Sequence, residues 1–106
     1  MARWIDVAAA TDIPDGGKTC VHADGKPVVL CQVAGALHAV LNVCPHAGLP
    51  LGEGELRGKV LTCPFHGFAY NIETGRNVDF VDDVPLSKVP VRVTEEARVE
   101  VDVEQG

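Results

Sequence analysis

The sequence lacks the features that direct a chain to a nucleic acid or a membrane. Basic residues are in the minority, with nine Lys and Arg against fifteen Asp and Glu, so the formal net charge is −6. This sign opposes contact with phosphate backbones or anionic lipid. Apolar runs such as residues 28–31 are far shorter than the ~20 residues that span a bilayer, and the first residues do not resemble a signal peptide. We therefore expect a soluble, cytoplasmic protein with protein partners, no nucleic acid and no membrane contact.

Internal repeats, low-complexity segments and linkers are also missing, so nothing divides the chain. Its 106 residues match the ~100–200 residues of one domain. The apolar fraction of 46% and the charged fraction of 23% are typical of a packed globular protein. The sequence predicts a single domain over residues 1–106, with no room for a second, catalytic domain.

Eleven Gly and seven Pro break the sequence into runs that are too short for ordinary helices. Val, Leu, Ile and Thr dominate these runs, which favours strands. The predicted fold class is all-β, with strands over residues 3–7, 18–23, 28–33, 37–43, 59–62 and 69–72. The clearest alternation predicts a closing hairpin in which one set of valines faces inward: Val89, Val91, Val93, Val99, Val101 and Val103. The opposite, polar face would carry Arg92, Arg98, Glu100 and Asp102.

Two cysteines flank a predicted tight turn at Asp24-Gly25. With a two-residue turn, Cys20 lies opposite Val29 and diagonal to Cys31, at a Cα separation of roughly 7–8 Å that is long for a disulfide. A longer loop of four residues would pair the two cysteines directly. We expect reduced, largely buried thiols.

Three further residues, two histidines and the single tryptophan, have no partner residue that the sequence identifies. His22 and His38 lie in predicted strands with no other ligand near them in sequence, so we interpret both as structural or surface residues. Trp4 is expected to pack in the core or at a sheet edge.

Two short segments do not have the residue pattern of strands, and they contain the Cys and His residues that can bind a metal. The first box, residues 44–50, contains Cys44-x-His46, and the second box, residues 63–68, contains Cys63-x-x-His66. Two Cys and two His can form a tetrahedral zinc site, but structural zinc motifs usually place a Cys pair in one half and a His pair in the other. Here each loop supplies one thiolate and one imidazole, which suits a two-iron cluster whose irons have different ligands.

The motifs Cys44-Pro45-His46-Ala47-Gly48 and Cys63-Pro64-Phe65-His66-Gly67 resemble the binding boxes of Rieske [2Fe–2S] proteins. The resemblance implies an antiparallel β-sandwich with a two-loop cluster-binding subdomain and one [2Fe–2S] cluster per chain. It also implies that Cys44 and Cys63 bind the inner iron, while His46 and His66 bind the outer iron.

Three positions beside the ligands distinguish this chain from high-potential members of that family. Leu49 and Phe65 occupy the places of two cysteines that form a disulfide there, and Phe68 replaces a serine that hydrogen-bonds a bridging sulfide. Tyr70 still matches a tyrosine that donates to a cysteine sulfur. The chain is therefore most similar to the soluble Rieske-type ferredoxins of bacterial aromatic-ring oxygenase systems.

This resemblance implies a one-electron carrier that is not itself an enzyme. Its expected partners are an NAD(P)H-dependent flavoprotein reductase and a terminal oxygenase. The apolar residues beside the predicted ligands, Leu49, Pro50 and Phe65, would either form a docking patch or only shield the cluster from water. Two alternatives remain open from the sequence. One is the small subunit of an assimilatory nitrite reductase, and the other is a structural zinc-binding interaction domain.

Overall fold

The structure, a computed structural model, describes residues 4–43, 51–52, 54–64, 68–78 and 85–103. Within these ranges it contains strands and one 3₁₀ turn at Ala10–Asp12, which confirms the all-β prediction. The strands are β1 (Ile5–Ala9), β2 (Lys18–Ala23), β3 (Lys26–Val33), β4 (Ala36–Leu41), β5 (Glu55–Arg57), β6 (Val60–Thr62), β7 (Ala69–Asn71), β8 (Lys88–Val89), β9 (Val91–Val93) and β10 (Arg98–Val101).

The described strands form three antiparallel sheets. The first sheet has the order β1-β10-β9, the central sheet β2-β3-β4-β8, and the small sheet β5-β6-β7. Among the described residues there is no helix that is long and apolar enough to cross a bilayer.

Strand β3 joins the two cores of the molecule because its side chains alternate between the faces of the central sheet. Val28 and Leu30 point into the first core, whereas Val29 and Cys31 point into the second core. The first core fills the space between the central and first sheets, with Ala8, Ile13, Ala23, Val28, Leu30, Ala39, Val89, Val99, Val101 and Val103. The second core reaches the small sheet, with Val29, Cys31, Val40, Leu51, Leu61, Cys63, Tyr70, Ile72 and Leu86.

The Asp24-Gly25 turn is confirmed as a two-residue hairpin connection. Ala23 pairs with Lys26, and both turn residues have positive φ, 52° for Asp24 and 78° for Gly25. This register places Cys20 opposite Val29, as predicted for the shorter turn.

The prediction of largely buried thiols is correct for Cys31 and wrong for Cys20. Both thiols are free, but Cys20 is exposed. In the described part of the chain, strand β2 lies at the edge of the central sheet and has a neighbouring strand, β3, on one side only. His22 is likewise exposed on β2, and His38 is half-buried on β4, so both lie in strands as expected.

The closing hairpin is confirmed in part. Strands β9 and β10 pair as predicted, with Val93 opposite Val99. Val89, however, belongs to β8 in the central sheet, because the chain passes from one sheet to the other at Pro90. The inward and outward assignments also fail at the hairpin's two extremes: Val93 is 49% exposed, whereas Asp102 is buried.

Trp4 directly precedes β1 and is half-buried, so it is not part of the core, one of its two predicted positions. The Arg92 guanidinium lies 4.2 Å from the centre of the indole ring and also forms an ion pair with Glu100. On the same sheet the Arg98 guanidinium donates to both carboxylate oxygens of Asp6, and this hydrogen bonding lowers the pKa of the Asp6 carboxyl. These polar contacts cover the outer face of the first sheet.

One strand of the small sheet, β5, is missing from the sequence prediction. Its three residues are Glu55, Leu56 and Arg57, and only Leu56 is apolar. Such a short segment gives no alternation to detect, and its strand conformation follows from pairing with β6. The small sheet is the part of the fold that positions the second box.

Candidate metal centre

The two boxes begin just after strands β4 and β6. Strand β4 ends at Leu41 and precedes Cys44, and β6 ends at Thr62 and leads directly into Cys63. Cys63 is fully buried with a free thiol. Three of the four predicted ligands, Cys44, His46 and His66, lie outside the described residues, so the ligand set stays a prediction.

The second box is a closed loop between β6 and β7. Thr62 pairs with Ala69, and beyond this pair the Cys63 N–H donates to the Phe68 carbonyl at 2.7 Å. The hydrogen bond joins the first and last residues of the box. The local sequence supports an end to the strand here, because Pro64 has no N–H to donate to a ladder.

The first box is closed at its base by a side chain. The Gly52 N–H donates to Asn42 Oδ1 at 2.7 Å, which links the residue two positions before Cys44 to the residue two positions after Pro50. The Lys18 ammonium donates to the Gly52 carbonyl at 2.5 Å. Both peptide groups of Gly52 are therefore bound, and the segments that flank the first box are held together at Asn42 and Gly52.

The two boxes are brought together through Leu51 and Gly54. Leu51 is fully buried in the second core beside Cys63 and Tyr70. Gly54 donates its N–H to the Leu51 carbonyl at 2.9 Å, and a Cβ on Gly54 would lie only 1.8 Å from the carbonyl oxygen of Thr62. The chain leaving the first box thus touches the residue that precedes Cys63.

The described part of this region fits a metal bound by thiolate. Cys63 offers a soft sulfur ligand at the start of a closed loop, and its surroundings are apolar, with Leu61, Tyr70 and the half-buried Phe68 packed in or against the same core. A dry environment around a cluster is one of the factors that set its reduction potential. Among the described residues no three Cys, His, Asp or Glu side chains come together.

Sequence reasoning did not identify the residues that close the base of the first box. Lys18, Asn42, Gly52 and Gly54 contain no metal-binding chemistry of their own, and Lys18 is 34 positions from its partner. The only local signal is the Gly52-x-Gly54 pattern just after the box, which permits close backbone approach.

Two titratable residues behind the site are shielded and lie outside the boxes. Burial raises the pKa of the Cys31 thiol to about 12, and the nearby Lys18 ammonium only partly opposes this rise. Burial also lowers the pKa of His38, with the Lys88 ammonium acting in the same direction. Cys31 and His38 face each other across β3 and β4, and in the described residues His38 Nε2 is buried without a hydrogen-bond partner.

Comparison with known proteins identifies close relatives of this architecture. The profile of the Rieske [2Fe–2S] domain matches residues 3–90. The chain is 37% identical over 93 residues to ferredoxin CarAc of Metapseudomonas resinovorans, covering 87% of each chain. It is 32% identical over 101 residues to the ferredoxin component of the naphthalene 1,2-dioxygenase system of Pseudomonas aeruginosa, covering 95% of this chain and 96% of that protein.

Solved structures agree with the sequence relatives. A chain in the complex of reduced oxygenase and oxidized ferredoxin in carbazole 1,9a-dioxygenase superposes with a TM-score of 0.87, at 36% identity and with 97% and 95% coverage. A second similar structure is described as a candidate small subunit of an NADH-dependent nitrite reductase from Mycobacterium tuberculosis. It has a TM-score of 0.81, 29% identity and 95% coverage of both chains.

The contact between Gly54 and Thr62 gives a direct stability prediction. We expect Gly54→Ala to lower the free energy of unfolding by about 1–3 kcal/mol or more, because the new methyl meets a backbone carbonyl that cannot rotate away. Urea unfolding measures this loss. Gly52→Ala is the matched control, since its closest obstacle is the side-chain sulfur of Cys20, which can move. Equal losses in the two variants would show that the Gly54 contact has no special cost.

The contrast between Cys20 and Cys31 predicts selective alkylation. Raising a thiol pKa from 9 to about 12 reduces its thiolate fraction at neutral pH about a thousand-fold, and Cys31 is also fully buried. In the folded protein near pH 8, iodoacetamide should therefore modify Cys20 within minutes and leave Cys31 unmodified. Peptide mapping by mass spectrometry distinguishes the two sites. Comparable labelling of both cysteines in the folded protein would contradict the burial of Cys31.

Proposed function

The chain belongs to the Rieske [2Fe–2S] protein family and is an electron carrier with one cluster, and we propose that Cys44, His46, Cys63 and His66 hold that cluster. The observation that carries this assignment is the contact between the segments that flank the two boxes. Leu51 and Cys63 share one core, and Gly54 lies against Thr62, so the segments that flank the two boxes meet. A cluster that needs ligands from both boxes requires this proximity.

Each part of the chain has a distinct task in this arrangement. When bound, the cluster supplies the ability to accept and release one electron. Cys44 and Cys63 would supply thiolates on the buried side, and His46 and His66 would supply imidazoles on the outer side. Leu61 and Tyr70 fill the space behind Cys63 and exclude water from it. The hydrogen-bonded bases of both boxes limit movement of the ligands when the charge changes.

We assign the electron acceptor to a terminal oxygenase and the donor to an NAD(P)H-dependent flavoprotein reductase. The oxygenase is supported by the similar ferredoxin chain that is described in complex with an oxygenase. The reductase follows from the sequence resemblance alone. The net charge of −6 would accelerate encounters with a basic docking surface on either partner, with a rate that falls as salt increases. A cytoplasmic location remains a prediction.

A nitrite reductase small subunit is the second candidate. It is favoured by the structural likeness to the candidate subunit from Mycobacterium tuberculosis. Purification from the source cell distinguishes the two functions, because a subunit would co-purify in a stable complex with a sirohaem protein, whereas a ferredoxin would not. The match to the Rieske profile favours the cluster over the zinc-binding interaction domain.

The ligand assignment predicts a specific composition and spectrum. Protein purified without oxygen should contain two irons and two acid-labile sulfides per chain and should give a rhombic Rieske-type electron-spin signal on reduction. His66→Cys should shift that signal toward an all-cysteine cluster or abolish it. His22→Cys, on the exposed face of β2, is the matched control and should leave the signal unchanged. Stoichiometric zinc without iron would falsify the assignment.

The presence of Phe68 beside the second box predicts a low reduction potential for the cluster. Two thiolates and two neutral imidazoles leave the oxidised site with no net charge, so reduction is easier than with four thiolates. Phe68 offers no hydroxyl where high-potential relatives have a serine, which removes one hydrogen bond that stabilises the reduced state. We expect a potential near the low end of the Rieske range, roughly −150 mV, against about −400 mV for plant-type clusters.

Redox titration measures this potential, and Phe68→Ser should raise it. The backbone hydrogen bond from Cys63 to Phe68 is retained in that variant, so the box should remain closed. A wild-type value near the top of the range would show that the missing serine does not control the potential.

Two exposed valines extend the predicted docking patch, whose residues Leu49, Pro50 and Phe65 lie outside the described residues. Val43 is 40% exposed and immediately precedes Cys44. Val78 is 45% exposed and its N–H donates to the Ala69 carbonyl, one residue beyond Phe68. Exposed apolar side chains beside both boxes suit the small interfaces, below ~1,200 Å², that electron carriers use.

Val78→Asp should slow electron transfer to the terminal oxygenase at least several-fold without changing iron content or potential. Stopped-flow absorbance of the reduced protein mixed with oxidised oxygenase measures the rate. Val93→Asp is the matched control, because Val93 is as exposed but lies on β9 in the first sheet. If both variants transfer electrons at the same rate, the docking surface does not include Val78.

A further inference from the structure

Gly52, just after the first box, is held on three sides. Its N–H donates to Asn42 Oδ1 and its carbonyl accepts from the Lys18 ammonium. On its third side, a Cβ would lie 2.1 Å from Cys20 Sγ and 3.3 Å from Asn42 Nδ2. Gly52 itself is buried. A methyl group at residue 52 would therefore have to displace the Cys20 side chain.

Strand β2 provides two of the three contacts. Lys18 lies opposite Cys31 and Cys20 lies opposite Val29, and both of these partners belong to the second core. Lys18 and Cys20 therefore project from the same face of the central sheet, which is the face that carries the second core. The chain that leaves the first box therefore packs against strand β2 through Lys18 and Cys20.

The contacts at Gly52 extend to the second box. From Gly52 the chain reaches Gly54 within two residues, and Gly54 lies against the carbonyl of Thr62, next to Cys63. A displacement of Gly52 would therefore be transmitted to both boxes. This connection distinguishes the Lys18 hydrogen bond from an ordinary surface contact.

We propose that Lys18 is a positioning residue for electron transfer, which fixes the chain that leaves the first box through the Gly52 carbonyl and places a positive charge at the residue two positions after that box. This inference rests on the proposed function, in that residues 44–50 must contribute cluster ligands. A hydrogen bond from a charged donor to a partly buried carbonyl is among the stronger ones in proteins. Its loss should loosen the first box and also remove a charge that favours the reduced state.

A matched control is available on the same hairpin. Lys26 also donates its ammonium to a backbone carbonyl, that of Val103 at 3.4 Å, and this bond is also partly buried. Lys26 lies at the turn end of β3, directly after Gly25, and its partner Val103 belongs to the first core. Lys26→Met therefore removes the same charge and the same type of bond, but its carbonyl partner belongs to the first core and not to the chain that flanks the boxes.

The experiment compares Lys18→Met with Lys26→Met in the cluster-loaded protein. We expect Lys18→Met to lose iron to a chelator about ten-fold faster than wild type, a size typical of one lost charged hydrogen bond. Its electron-spin g values should shift and its reduction potential should fall. Lys26→Met should stay within two-fold of wild type in iron loss, with unchanged g values. Lys18→Arg should restore most of the wild-type behaviour.

The outcomes separate this inference from the ligand assignment. If wild-type protein contains no [2Fe–2S] cluster, the proposed function fails. If wild type is loaded but Lys18→Met and Lys26→Met match in iron loss, g values and potential, the positioning role is wrong. A loss of urea stability in Lys18→Met with unchanged g values and potential would also overturn it, since a purely structural role predicts that result. If Lys18→Met does not fold, Asn42→Ala removes the bond to the Gly52 N–H, and normal iron retention in that variant refutes the proposal.

Discussion

The arrangement of the two boxes depends on one close approach of backbone to backbone, that of Gly54 to the carbonyl of Thr62. No side chain fits at residue 54, because its first carbon would overlap the Thr62 oxygen. The contact joins the chain that follows the first box to the residue before the second box, where the β5-β6 pairing of Glu55 with Thr62 begins. Leu51 secures it from one side by burial in the second core, and the β5-β6-β7 sheet supports it from the other.

The central sheet allows the chain to combine a stable domain with a site at one end. Strand β3 uses one face to close the first core against the first sheet and the other face to support the boxes. One face of β3 therefore stabilises the domain, and the opposite face packs against the residues that flank the boxes. Pro90 makes this division possible, because it separates β8 in the central sheet from β9 in the first sheet.

Charge and apolar surface are distributed differently on the molecule. Two of the exposed valines, Val43 and Val78, lie beside the boxes, whereas the described ion pairs lie on the outer faces of strands and turns. Exposed ion pairs of this kind contribute little to stability. These pairs carry no net charge, so any long-range attraction to a basic partner comes from the excess of acidic residues that gives the net charge of −6. The proposed short-range contact is apolar.

The local sequence determined the structural features that depend only on residues close together in the chain. The short Gly- and Pro-bounded runs specify strands, Asp24-Gly25 specifies a two-residue hairpin that sets Cys20 opposite Val29, and the spacing of Cys and His in the two boxes identifies the family. Three of the four proposed ligands lie outside the described residues, so the ligand set still rests on these motifs.

Tertiary structure alone decided which side chains are covered and which distant residues meet. Cys20 is exposed because β2 became an edge strand, and Asp102 is buried although the alternation of its own strand placed it outside. Lys18 and Asn42 meet at Gly52 across 34 and 10 positions of sequence. A periodic pattern records only which way a side chain points along its own strand. Which surface lies there depends on the packing of whole sheets.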